Sequence, residues 1–524
     1  LAFLAGAASI INSLQQNGLR VIMERKIPKV MATQHPDNAT KPYWLHSGKF
    51  VDTKNEVEEC FHSFSDLKCD EYMWDWEGKH VDEAVMERLL EKHMDFFSKK
   101  QLGRDVFLTF RIPNFWLEEG YRVARAFVNI VSANDLAIDY GLHTPPVFEA
   151  ILPMTTSGEQ PYQIRKKYSQ LAASLKGFGE AGPEDIEVIP LIEAPANMFA
   201  AGQILSDYLK LCKSDSKLSK RKLAHLRPFI ARSDPALNSG VVPAILAAKA
   251  GIQKCHEFGE SNGLEIHPII GVGSLPFRGW LSPSTVEEFC KEYPGVRTAT
   301  VQPSFCYDHS KEEVNAAISK LSKRLTLPPS EFSKEDLAKF SKLAEMFEKH
   351  YQKTIEGIAE DINKVAKAVP ARRERRLHVG LFGYSRKIGS TKLPRAIAYT
   401  ASMYSLGVPP ELVGLGRGIE QARRDGLLKF LEENIVTLRK IAVFAGNYLN
   451  KQNLSSLAAA NPYWKAVEQD VKLIEEWLGQ PLGPAEPAHQ EHFNLSSNVL
   501  LLLKENKPAG EEIERLAELR KTLG

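Results

Sequence analysis

The chain has 524 residues, 43% of them hydrophobic, and its 67 basic and 65 acidic residues leave a formal charge of +2. So large a core is affordable at this length, while no general polyanion-binding role follows from so even a balance, nucleic-acid binding is disfavoured, and any positive field has to be local. No apolar run reaches the roughly 18 residues a membrane helix needs. The six cysteines, Cys60, Cys69, Cys212, Cys255, Cys290 and Cys306, show neither CxxC nor Cys/His ligand spacing. Scattered thiols of this kind suit a reduced, cytoplasmic enzyme better than a disulfide framework or a zinc site.

Residues 1–22, "LAFLAGAASIINSLQQNGLRVI", lack the basic start of a secretory signal and read as a non-native or unstructured leader before Met23. Next comes "VMATQHPDNATKPYW", Val30 to Trp44. A helix cannot run through Pro36 or Pro42, so His35 stands where a short apolar run must turn. Taken alone, such a histidine is more often an ordinary loop residue than a proton carrier.

Apolar, β-branched or aromatic runs then recur about every 30–40 residues, the size of a strand–helix unit. They are "PKVMATQ", "DEYMWDWEG", "DVFLTFRIP", "PPVFEAILP", "IEVIPLIEA", "LRPFIARSD", "IHPIIGVGS" and "VRTATVQPS". Segments of helical period, such as "EAVMERLLEKHMDFF" and "ILAAKAGIQKCHEF", lie between them. This alternation predicts an α/β fold, a TIM-type (β/α)8 barrel over residues 23–310, with an open doubly wound sheet as the alternative. Beyond 310 the strand signal fades. Ser333 and Asp336 have capping-box spacing, and Leu337, Phe340, Leu343 and Phe347 suit one helix face. A helical region over 311–524, packed on the barrel, is expected.

Polar residues end most of the strand runs: Asp75 and Glu77, Arg111, Glu149, Glu193, Arg232 and Asp234, Gln302. In a barrel these ends form the catalytic face. Carboxylates on neighbouring strands, such as Glu193 and Asp234, would repel by about 4 kcal/mol at about 4 Å and an effective dielectric near 20. One is then protonated, a cation lies between them, or each pairs with an arginine. A cation held by oxygen alone points to Mg²⁺ or Mn²⁺.

Two basic segments add to this. In "GVGSLPFRGWLSP" the glycines free the backbone to approach an anion that Arg278 could clamp. In "LFGYSRKIGSTKLPRAIAY", Arg386 and Arg395 sit among apolar and glycine residues rather than in a charged run. Neither segment has Walker A spacing. The upstream "ARRERR" reads as a solvated face.

"TQHPDN", "IPLIEA", "ARSDPALNSG", "GSLPFRG" and "GYSRKIG…LPRAIAY", in this order and at these intervals, resemble the archaeal-type phosphoenolpyruvate carboxylases from about Met23 to the C-terminus. The larger bacterial and plant carboxylases offer a second comparison. Their T-A-H-P-T-E histidine matches His35, their strand-end arginine Arg111, and their metal carboxylates Glu193 and Asp234. The second arginine of their G-R-G-G-x-x-G-R-G-G loop matches Arg278, and two later arginines match Arg386 and Arg395. Val272 replaces the first loop arginine, and Leu237 the lysine of their S-D-S-x-K-D, so Arg232 or Lys41 is left to complete the phosphate contacts.

The resemblance implies a barrel of the phosphoenolpyruvate/pyruvate group and an anaplerotic, carbon-fixing enzyme, a cytoplasmic homotetramer. Phosphoenolpyruvate and bicarbonate would give oxaloacetate and phosphate through carboxyphosphate and a metal-stabilised enolate. In that scheme His35, Arg278 and Arg395 are catalytic. Arg111, Arg232, Arg278, Arg386 and Arg395 bind substrate, and Glu193 and Asp234 hold Mg²⁺ or Mn²⁺. No biotin-attachment M-K-M, ATP-binding glycine loop or phosphohistidine signature is present, so neither biotin nor ATP is expected. Another lyase or aldolase of the same barrel group would share the metal carboxylates without needing His35. A catalytically dead scaffold would tolerate loss of His35, Arg278 and Arg395.

Overall fold

Eight short parallel strands close on themselves: β1 (Val30–Ala32), β2 (Glu71–Asp75), β3 (Phe107–Arg111), β4 (Glu149–Leu152), β5 (Glu187–Ile192), β6 (Phe229–Ala231), β7 (Ile269–Gly271) and β8 (Thr298–Val301). The computed structural model describes residues 25–524 apart from 49, 78–80, 119, 177–182, 222, 374–386 and 389–390. The leader at 1–22 and Arg386 therefore lie outside the described residues.

Each strand falls inside one of the eight apolar runs. Closure comes from β1, which pairs with β2 (Met31 beside Glu71) and with β8 (Val30 beside Ala299). That excludes the open doubly wound sheet. Both faces of such strands are covered, which is why they read as nearly continuous apolar runs rather than alternating ones.

The two-residue period still sorts the side chains by height within the barrel. Along β2, Met73 joins Met31, Ile151, Ile189, Leu191, Phe229 and Ile269 in an interior cluster, while Tyr72 and Trp74 belong to the larger core under the helices. Glu71 and Asp75 flank Met73 on the same face, one below the apolar layer and one above it.

A buried ionic floor lies beneath that layer. Arg227 donates to Glu71 (2.6 Å), Glu149 (2.7 Å) and the Thr298 hydroxyl (3.2 Å). Arg25 bridges Glu149 and Glu187 at 2.7 Å each.

Four helices position the upper rim. Helix α1 (Val241–Asn262) is buried continuously from Val241 to Gln253, because α2 (Lys334–Ala366) packs on its outer side. Helix α2 opens with the capping box: Ser333 accepts from the Asp336 N–H and the Asp336 carboxylate accepts from that of Ser333. Helix α3 (Ala396–Ser405) packs on α2, and α4 (Gly510–Arg520) packs on α3. Among the described residues, no helix is long and apolar enough to cross a membrane.

Candidate active site

A cavity of about 380 Å³ opens at the C-terminal rim of the barrel. Its lining includes His35 after β1, Glu77 after β2, Arg111 at the end of β3, Glu193 after β5, Asp234 after β6, Arg278 after β7 and Arg395 before α3. Six of the eight residues singled out from the sequence thus meet in one space.

Arg111 is held from beneath. Its Nε and Nη2 donate to the two Asp75 oxygens at 3.0 and 2.7 Å, and Nη1 lies 3.3 Å from Glu77. Burial works against its charge, but the Asp75 and Glu77 carboxylates, with Glu193 beyond them, outweigh that and raise its pKa well above the ordinary value. The bidentate fork fixes the plane of the guanidinium. Asp75 and Glu77 stood out in the sequence only as rim residues; their position two and four residues along the same inward face as Met73 was the signal for this support.

His35 is half-buried, and its Nδ1 lies 2.8 Å from the Thr33 hydroxyl. A hydrogen bond at one ring nitrogen orients the imidazole for work at the other.

Arg278 is nearly fully buried, and its nitrogens are divided among distant segments. Nε donates to Ser233 at 3.2 Å and Nη1 to Asp37 at 3.2 Å. Nη1 also donates to the Gly524 carbonyl oxygen, and Nη2 to Gln302. Asp37, two residues after His35, accepts from the Ser304 N–H and hydroxyl at 2.9 Å each. Its carbonyl accepts from the Leu523 N–H at 2.7 Å and the Thr522 hydroxyl at 3.1 Å. Burial pushes the Asp37 carboxyl above its usual range, against the pull of Arg278 and Ser304. The glycine read as free to approach an anion serves the arginine instead: a Cβ on Gly273 would sit 2.8 Å from the Arg278 guanidinium carbon.

Arg395 is the N-cap of α3, whose first residues Ala396, Ile397 and Ala398 also line the cavity. First-turn N–H groups lack intrahelical acceptors and favour an anion.

Two expectations need correcting. Arg232 does not line the cavity. Ala231 packs into the barrel interior, so its neighbour turns away, and the fully buried Arg232 donates to the Tyr293 hydroxyl at 2.8 Å. The "ARRERR" run is not wholly a solvated face, because Arg372 and Arg373 are buried and line the cavity. Arg372 donates to the Asn38 and Ala39 carbonyls at 3.0 and 3.1 Å, tying this segment to the His35 turn, and Arg373 pairs with Glu56 and Glu59. Lys41 is exposed and donates to the His46 carbonyl at 3.2 Å.

A metal could be held in two places. Glu193 and Asp234 follow adjacent strands and offer hard oxygen donors to the cavity. Glu149, Glu187 and His225 bring ligand atoms within 4.8 Å of one another, but on the floor. There Arg25 and Arg227 already supply the positive charge. The rim pair is the better fit.

A family model described as phosphoenolpyruvate carboxylase matches residues 27–524. The phosphoenolpyruvate carboxylase of Oenococcus oeni is 39% identical over 511 residues, covering 96% of this chain and 99% of its own. Those of Metallosphaera sedula and Methanothermobacter thermautotrophicus are 36% and 37% identical, each covering 95% of this chain and 100% of its own.

Proposed function

The chain belongs to the phosphoenolpyruvate carboxylase family, and from that premise we propose that the rim cavity joins phosphoenolpyruvate to bicarbonate, releasing oxaloacetate and phosphate. The convergence of His35, Arg111, Glu193, Asp234, Arg278 and Arg395 on one cavity carries this reading.

The reactants bring several negative charges together. Arg278, Arg395 and the first turn of α3 receive the phosphoryl and carboxylate oxygens, and Arg111 bounds the opposite side. Planar guanidinium groups suit both, since each can bind two oxygens at once. A bicarbonate oxygen attacks phosphorus as the bond from phosphorus to the enol oxygen breaks, leaving carboxyphosphate and the enolate of pyruvate. His35 accepts the carboxyphosphate proton, the carbon–oxygen bond to phosphate breaks, and the released CO₂ is captured by the enolate carbon. The proton then passes from His35 to phosphate, so charge and atoms balance. Glu193 and Asp234 are the residues suited to hold Mg²⁺ or Mn²⁺, which when bound supplies Lewis-acid stabilisation of negative charge on oxygen. Leu523 and the buried Arg372 segment restrict water, which would otherwise protonate the enolate to pyruvate.

A coupled assay for bicarbonate-dependent oxaloacetate, run with and without Mg²⁺, tests the proposal. Equal output without added bicarbonate would refute it. A homotetramer is the companion expectation, read from family likeness and checked by light scattering at micromolar concentration.

A further inference from the structure

We propose that Glu411 is a positioning residue for Arg278, holding from the helical region the loop on which that guanidinium rides. The inference rests on the reading of Arg278 as a substrate clamp.

Glu411 is fully buried in the segment Pro410–Leu412, far along the chain from the barrel strands. Its Oε1 accepts from the Phe277 N–H at 2.8 Å, one residue before Arg278, and from the Tyr404 hydroxyl at 2.9 Å. The buried Phe277 ring lies 5.6 Å from the Tyr399 ring and 6.3 Å from that of Tyr351. The Tyr351 hydroxyl donates to the Leu237 carbonyl at 2.9 Å and accepts from the Tyr399 hydroxyl at 2.8 Å, so this seat is itself fixed. Phe277 is therefore gripped by its ring and its backbone together. From there the loop closes tightly: the Gly273 N–H donates to the Arg278 carbonyl at 2.8 Å, and Gly279 has φ +120°. A shift at Phe277 has little slack in which to dissipate before it reaches Arg278.

The other oxygen of Glu411, Oε2, is buried without a hydrogen bond. A glutamine could accept the same two bonds through its own carbonyl oxygen, so the acid adds a change of charge. Burial raises the Glu411 pKa to about 7, opposed by the Phe277 and Tyr404 bonds. The groups facing it are the hydroxyls of Tyr404, Tyr399 and Tyr351, with Arg520 beyond, 5.3 Å from the Tyr404 ring. Because burial is the larger effect, the closed seat binds the Glu411 proton more tightly than an opened, solvated one would, so the loop is held less tightly as pH rises through this range.

Amide hydrogen exchange of the peptide spanning 271–283, corrected for intrinsic rate, reads the loop without turnover. Glu411→Leu should speed exchange at least tenfold and raise the KM for phosphoenolpyruvate at least tenfold. Glu411→Gln should stay within threefold of the parent in both. From pH 6 to 8 exchange should speed in the parent and stay level in Glu411→Gln. Should the leucine variant fail to fold, Glu411→Asp, which withdraws the oxygen by one methylene, is expected to speed exchange about threefold. Unchanged exchange in the leucine or aspartate variant, equal damage in glutamine and leucine variants, or a parent without the pH trend would each overturn the inference. A chain that makes no oxaloacetate yet shows the exchange pattern would refute the carboxylase reading and leave the loop anchor standing.

Discussion

His35 is the residue whose removal best separates this chemistry from its neighbours. Its Nδ1 lies 2.8 Å from the Thr33 hydroxyl, and under the proposed mechanism its task is the proton of carboxyphosphate. His35→Ala should fold normally and lower oxaloacetate formation by about 10²–10⁴-fold, the usual range for a general base. Phosphate release should persist, because phosphoenolpyruvate can still be cleaved. Parallel assays of phosphate and oxaloacetate make the comparison, and normal carboxylation would contradict the role. Asp234→Asn keeps shape and removes a charge from the rim pair, so half-maximal activity should need at least tenfold more Mg²⁺. An unchanged titration would argue against Asp234 as a ligand.

At the scale of elements, strands and floor have different origins. The strands were legible because a closed parallel barrel buries both faces of each one, which writes apolar runs into the chain at a unit spacing. The rim carboxylates and Arg111 were legible because they end those runs, whereas Arg278 and Arg395 stood out by their glycine-rich and apolar surroundings. What stayed hidden depends on partners far away in sequence. Arg372 and Arg373 look like a charged surface turn until the His35 segment and Glu56 and Glu59 are folded against them. Asp37, after β1, meets Arg278, after β7, with only β8 between their strands, and Glu411 meets Phe277 from another region altogether. The direction of Arg232 could have been read, since the alternation that sends Ala231 inward sends its neighbour out. The floor yields its own prediction. Arg227→Met leaves Glu71 short of its buried partner, and breaking such a pair costs about 3–5 kcal/mol. Denaturant unfolding should register that loss, while the KM for phosphoenolpyruvate of the folded fraction stays within twofold, because the apolar layer separates floor from rim.

Across the whole molecule, the barrel rim and the first turn of α3 together line the cavity, and the rest of the helical region holds them in register. Tyr351 on α2, Tyr399 on α3 and Glu411 between helices all converge on Phe277, while Thr522 and Leu523 beyond α4 close over Asp37. The ionic floor and the apolar layer above it leave the barrel blind at its lower end. Traffic must therefore use the upper mouth in both directions, like a corridor with a single door. A departing phosphate retraces the path by which the next phosphoenolpyruvate arrives, so inorganic phosphate added to the assay should raise the apparent KM for phosphoenolpyruvate and leave the maximal rate alone.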